Sequence, residues 1–358
     1  MNSWPRTRAR PWRRPVTAEG GISALVITRG RPELLAACLG SLSAGPPDEI
    51  LVGIDGEDQA TELALKPFPA VKVLRLPRSC RGEARNALAA AAAGRWLCFL
   101  DDDVVLPAGY FDRLRGLVKL NTGVSVFGGG QCLSPASGYF EEAVYALLAS
   151  PWGGGPFTER FSPVAGTRPA GPEKFILCNL AVDSFFLRER GLAFEGHLSS
   201  AEENLLLNRM AAAGARMLLS GDLNLVHRRR NGPAAFIRQV FTSGRGRGQI
   251  TALSPKGFSP FTLLPPAALA CAACAAVLSP HLLGAAAGLH VFVSSGAALF
   301  CRARPEVKPA VLALYPALHT AYAGGWVFGF AEGLFCRAIG GAKPRRCRCE
   351  GKPAAPRR

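Results

Sequence analysis

The sequence predicts an α/β domain built on a mostly parallel sheet with flanking helices, followed by C-terminal helices of membrane-spanning length. Three observations carry that reading. From Ile22 to about Gly130, apolar runs of strand length alternate with segments of helical periodicity, the pattern of strands joined by crossover helices. Gly257–Cys301 is a run of 45 residues with no Asp, Glu, Lys or Arg. Finally, the net charge of +16 coexists with 49% hydrophobic residues, which excludes a largely disordered chain and requires charge and apolarity to be segregated.

Taken in order, residues 1–20 carry Arg6, Arg8, Arg10, Arg13 and Arg14 and no apolar core, so they read as a basic disordered arm rather than a secretory leader. The α/β domain is expected over 21–248. Ile22–Thr28 reads as a buried strand, and Pro32–Ser43 as a helix with Pro in its first turn. Glu49–Asp55 is a second strand, Val71–Leu76 a third, and Gly82–Ala93 an Ala-rich helix. Trp96–Leu100, the fourth strand, runs directly into Asp101-Asp102-Asp103. Pro151–Pro172 is rich in Gly and Pro, and so long an irregular stretch inside a domain is expected to be functional or disordered. Ser184–Gly191 reads as a short helix, and Glu202 opens another that stops at Gly214.

Membrane helices are expected over 258–335. The break at Ser279-Pro280-His281 separates two spans near 259–278 and 282–301, each of the ~20 residues a bilayer needs. A third apolar segment, 309–335, is either a further span or a re-entrant or interfacial segment. Arg302, Arg304 and Lys308, with the basic tail 336–358, favour a cytoplasmic placement for both clusters. The eleven cysteines follow no disulfide or zinc spacing and fit free thiols in a reducing compartment.

A parallel sheet binds ligands beyond the carboxyl ends of its strands, where Thr28, Asp55 and Asp101–Asp103 all fall. Three adjacent carboxylates repel one another, and a divalent cation such as Mg²⁺ or Mn²⁺ relieves that repulsion. The basic balance invites a nucleic-acid partner, but no nucleic-acid motif accompanies it. The basic stretches, including Arg228–Arg230, therefore read as membrane-surface contacts.

Several pieces together resemble a known family. They are Ser23–Thr28 with Arg31-Pro32-Glu33-Leu34-Leu35, Glu49–Gly56, Gly82-Glu83-Ala84-Arg85-Asn86, Leu100–Asp103, Cys178-Asn179-Leu180-Ala181, and Glu202-Glu203-Asn204 with Arg209. In this order and spacing they resemble the family 2 glycosyltransferases of GT-A fold, over Ile22 to about Gly248. The continuation through His227, Arg238-Gln239 and Gly244–Arg247 into apolar segments is similar to the exopolysaccharide-type members.

The resemblance implies that Thr28, Asp55, Arg85 and Asp101 bind the nucleotide of a nucleotide-diphospho-sugar and that Asp103 ligates the metal. It implies a general base at Glu203, where the family has Asp. Asn179, Glu202, His227, Arg245 and Arg247 are expected contacts to phosphate or acceptor. Two further departures are Gly30, where Asn is common, and Asp183, where a basic residue is common.

The expected activity is metal-assisted, inverting transfer of a sugar to a lipid-linked or polysaccharide acceptor. The expected setting is a multi-pass membrane protein with its catalytic domain in the cytoplasm. A nucleotidyltransferase shares the Asp–metal logic but needs a Gly-rich basic loop that Arg29-Gly30-Arg31 does not supply. A non-catalytic membrane-bound assembly partner is the alternative that the Glu203 departure raises.

Overall fold

A strand covered on both faces carries a near-continuous apolar run, and Ile22–Thr28 is buried along almost its whole length. The computed structural model describes residues 21–229, 232–253 and 259–338. The basic arm, Arg230 and the tail beyond 338 lie outside the described residues. Strand β1 (Ile22–Thr28), helix α1 (Pro32–Leu42), β2 (Glu49–Asp55), α2 (Gln59–Leu65), β3 (Lys72–Leu76), α3 (Arg81–Ala91) and β4 (Trp96–Asp101) form the parallel half of the sheet. All four expected strands are present, within a residue of their expected ends.

The chain continues through β5 (Val104–Val105), α4 (Tyr110–Leu120), β6 (Val124–Gly128), β7 (Gln131–Cys132), α5 (Tyr139–Ala149), α6 (Pro151–Gly154) and β8 (Thr167–Pro169). There follow β9 (Asn179–Asp183), α7 (Ser184–Glu189), α8 (Glu202–Ala212), β10 (Arg216–Ser220) and β11 (Leu225–His227). The main sheet has the order β3-β2-β1-β4-β9-β6-β10-β8, with β9 antiparallel to both β4 and β6. Leu39, Phe111 and Leu114 belong to one core cluster, and Leu88, Leu206 and Met210 to another. A small second sheet, β5-β11-β7, pairs His227 with Val104 and so returns a distant residue to the end of the Asp run.

Helix α9 (Pro233–Leu253) runs on past residue 248, where the α/β domain was expected to end. Helices α10 (Leu264–Leu278), α11 (Pro280–Phe300) and α12 (Lys308–Ala338) complete the described chain. Pro260–Leu278 and Pro280–Phe300 are long and apolar enough to cross a membrane, with only 11% of each apolar window buried. They expose Val277, Leu278, Leu289, Phe292 and Phe300.

The third apolar segment is a single helix lying along α9. Glycine makes that approach possible. A Cβ on Gly329 would sit 1.9 Å from the Arg245 carbonyl oxygen, and one on Gly248 would sit 2.1 Å from that of Trp326. Both obstacles are backbone, which cannot swing aside as a flexible side chain can. Gly329→Ala is therefore expected to cost roughly 1–3 kcal/mol, a typical overpacking penalty. Thermal unfolding of the detergent-solubilised chain reads this as a midpoint lowered by several degrees; an unchanged midpoint would show that the helices separate without penalty.

A hydrogen-bond ring joins α11 and α12 to α6. The Trp152 indole N–H donates to Ser294 Oγ at 3.0 Å, and Ser294 lies 3.5 Å from His290 Nδ1. His290 Nε2 is 3.0 Å from His319 Nδ1, and His319 Nε2 is 3.0 Å from the Trp152 carbonyl, which can only accept. The carbonyl puts the His319 proton on Nε2, so with both rings neutral His290 donates from Nε2. Trp152 thus begins and ends the ring, tying the apolar helices to the segment that leads to Arg160.

Candidate active site

Parallel pairing of β2, β1 and β4 sets Ile54 beside Thr28 and Asp101 beside Ile27, so Thr28, Asp55 and Asp101 close one edge of the sheet. The three consecutive aspartates then part company. Asp102 is fully buried: the Thr28 hydroxyl donates to its Oδ2 at 2.7 Å, and Arg31 pairs with its Oδ1. Burial pushes the Asp102 carboxyl up to about 6, against the pull of Arg31. This middle residue supports the edge from within, and Thr28 acts through it.

Asp101 is the open member, its side chain 37% exposed and 3.5 Å from the Arg85 guanidinium. Asp103 is gripped on both oxygens, with Arg31 Nη1 at 2.7 Å from Oδ2 and His227 Nε2 at 3.1 Å from Oδ1. Gln131 fixes the imidazole. Its amide nitrogen donates to Cys178 Sγ at 3.4 Å, which turns its Oε1 to His227 Nδ1 at 2.8 Å. An amide oxygen only accepts, so Nδ1 carries a proton, and Nε2 faces the Asp103 carboxylate, which likewise only accepts. That contact needs a proton on Nε2 or a metal ion between the two atoms.

The donor set fits a metal. One ligand atom each from Asp101, Cys178 and His227 lies within 4.8 Å of the others. Burial pushes the Cys178 thiol well above its ordinary range, and soft sulfur is a poor match for a hard cation. Asp101, Asp103 and His227 are the oxygen and nitrogen donors that suit Mn²⁺ or Mg²⁺.

Behind Asp101, Arg85 is buried and also pairs with Glu202, itself 3% exposed. This is a charged strut from α3 to the start of α8. Glu203 Oε1 accepts from Asn204 Nδ2 at 2.8 Å and from Arg160 Nη2 at 3.1 Å. Arg160 is enclosed, and burial pushes its guanidinium down to about 10 while Glu203 pulls the other way. Ala201, just ahead of α8, has φ of 64°, the only positive value at a non-glycine among the described residues. Left-handed backbone at a residue with a Cβ is strained, and here it sets the helix start that presents Glu202 and Glu203.

The remaining expected residues divide. Asp55 accepts from the Ser79 amide at 3.0 Å and lies 3.5 Å from Arg29 at the open edge. Asn179 is not placed to meet phosphate or acceptor. It is fully buried, donating to the carbonyls of Leu223 and Gly130 and accepting from the Tyr110 hydroxyl at 2.7 Å. Every polar group of that amide is engaged in joining β9 to neighbouring turns. Arg245 is likewise committed elsewhere, forking onto Glu332 of α12 at 2.8 and 2.6 Å. Arg247 stands 4.8 Å over the Phe157 ring.

Arg31, Gln131 and Arg160 were not anticipated as site residues. Arg31 had a local signal, a cation three residues past the strand end that bears Thr28. Arg160 had only its place in the Gly/Pro-rich stretch.

The Glycosyl transferase family 2 model matches residues 23–131. Among solved structures, the mannosyltransferase PcManGT from Pyrobaculum calidifontis, in complex with GDP-Man and Mn²⁺, aligns with a TM-score of 0.57. It is 16% identical, over 90% of this chain and 91% of that one. S. aureus TarS 1-349 in complex with UDP-GlcNAc aligns with a TM-score of 0.49 at 16% identity, over 89% and 92%. No curated protein matches the chain.

Proposed function

Starting from a chain that carries a family 2 glycosyltransferase domain over residues 23–131 on a GT-A-like fold, we propose that it moves a sugar from a nucleotide-diphospho-sugar to a lipid-linked or polysaccharide acceptor. The observation that carries the proposal is the meeting of Asp101, Asp103 and His227 at the carboxyl edge of the sheet. Asp55 and Asp101 face the nucleotide, with Arg85 behind Asp101 and Thr28 supporting the edge through Asp102. Asp101, Asp103 and His227 hold the divalent cation, and the nitrogen donor leans toward Mn²⁺ over Mg²⁺. When bound, the cation supplies neutralising charge to the departing diphosphate.

Glu203 acts on the acceptor side. Arg160 and Asn204 hold its Oε1, while Oε2 has no partner among the described residues. That oxygen takes the proton of the acceptor hydroxyl as the hydroxyl oxygen bonds to the anomeric carbon. The bond from that carbon to the diphosphate oxygen breaks, its electron pair leaving with the nucleoside diphosphate. Attack from the opposite face inverts the anomeric centre. Helices α10 and α11 anchor the domain at the cytoplasmic membrane face, where nucleotide-sugars are available.

The test supplies UDP-, GDP- and dTDP-sugars with Mn²⁺ and membrane lipid extract, and reads the product anomer by NMR. One donor is expected to be consumed and to give a product of opposite anomeric configuration. Retention of configuration would exclude the Glu203 mechanism. Failure of every donor, with the protein folded, would favour the non-catalytic assembly partner.

A further inference from the structure

A cavity of about 370 Å³ opens between α8 and the point where the first apolar helix begins. Its wall includes Phe157, Asn204, Asn208, Arg247 and Phe261. The volume lies in the range of small-ligand pockets, and the wall is divided between polar and apolar groups. Arg247 and Phe157 form a stacked pair at 4.8 Å, and Arg247 has no ion-pair partner among the described residues. Arg160 lies 6.0 Å from the same Phe157 ring, pushed down by burial while Glu203 pulls the other way. Glu203 is already paired with Arg160, which leaves the Arg247 guanidinium to face the cavity. Glu173 also lines the cavity but makes no ion pair with Arg247 among the described residues.

The position of the cavity matters as much as its charge. Asn204, on the wall, donates to the Glu203 carboxylate at 2.8 Å, so the cavity adjoins the proposed base. At the other end, Phe261 is 53% exposed at the start of the candidate span Pro260–Leu278. A ligand here has an unpaired guanidinium for its head and an apolar helix for its tail.

We propose that this cavity is the acceptor port and that it takes an anionic amphiphile, a lipid phosphate whose phosphate pairs with Arg247 and whose chain leaves past Phe261 toward the bilayer. The proposal rests on the glycosyl-transfer reading and adds the acceptor class to it. Guanidinium suits phosphate through paired, charge-assisted hydrogen bonds, and stacking on Phe157 holds its plane in place.

The test is calorimetric titration of the full chain in detergent with a ten-carbon alkyl phosphate. Decanol and inorganic phosphate are run as separate arms. The alkyl phosphate is expected to bind at least about 10-fold more tightly than either, and Arg247→Ala to weaken it at least about 10-fold, as loss of a charged hydrogen bond implies. Asn208→Glu, which adds an anion to the wall without removing Arg247, is expected to weaken it similarly. Equal affinity in wild type and both variants would overturn the port. Equal binding of decanol would overturn the anionic head, and equal binding of inorganic phosphate would overturn the lipid tail. Donor binding by the wild-type chain is titrated in parallel: its absence counts against glycosyl transfer, whereas the three lipid arms decide the port.

Discussion

Asp103→Asn is expected to lower nucleotide-sugar turnover by about 10²–10³-fold, the scale of removing one preorganised charge from a developing anion. The change is isosteric, so the loss is electrostatic. The Asp103 carboxylate is where Arg31 and His227 converge, at 2.7 and 3.1 Å. An amide there offers the cation a weaker, uncharged oxygen and removes the negative charge that faces His227 Nε2. Arg31 retains Asp102, so the fold is expected to survive. Steady-state turnover of the accepted donor, with circular dichroism as the folding control, checks the result. Turnover within a factor of two of wild type would place the metal site elsewhere.

Glu203→Gln is expected to cost about 10²–10⁴-fold in kcat, the range for a general base, with little change in KM for the donor. It also leaves Arg160 enclosed without its counter-charge, and breaking a buried pair is destabilising. Glu203→Asp separates the two effects. It keeps the charge but withdraws the carboxylate by one methylene, and a displacement near 1 Å costs about 10²-fold. An unfolding midpoint near wild type with turnover reduced about 10²-fold is the expected outcome for Glu203→Asp. Full turnover in the Gln variant would remove Glu203 as the base.

The parallel half of the sheet was legible because its signals are local. Ile22–Thr28, Glu49–Asp55 and Trp96–Asp101 are each an apolar run ending in a polar residue, and the fold needs no more than that to place Thr28, Asp55 and Asp101 together. The pairing of His227 with Asp103 was not legible. That contact depends on the two-residue strand β5 pairing with the three-residue strand β11, and segments so short leave no periodic pattern. Arg160 reaching Glu203 depends on the path of a Gly/Pro-rich segment, which side-chain pattern does not encode.

Arg245 shows the opposite failure. The sequence presents it as one of a run of cations, whereas its fork onto Glu332 follows from α9 and α12 packing through glycines. The spacing of Gly244 and Gly248 against Gly325, Gly329 and Gly333 was the available signal, and it points to helix contact. Asn179 could not have been separated from a ligand contact by sequence, because burial alone distinguishes an amide that joins turns from one that faces a pocket.

On the proposed reading, Asp101, Asp103 and His227 form a metal-dependent nucleotide-diphosphate site. Direct titration of UDP and GDP into the purified chain, with Mn²⁺ and then with chelator, tests it without needing the sugar or the acceptor. Saturable binding of one nucleotide in Mn²⁺, weakened at least about 10-fold by chelator and by Asp103→Asn, is the predicted result. Binding of equal strength with chelator present, or in Asp103→Asn, would contradict it.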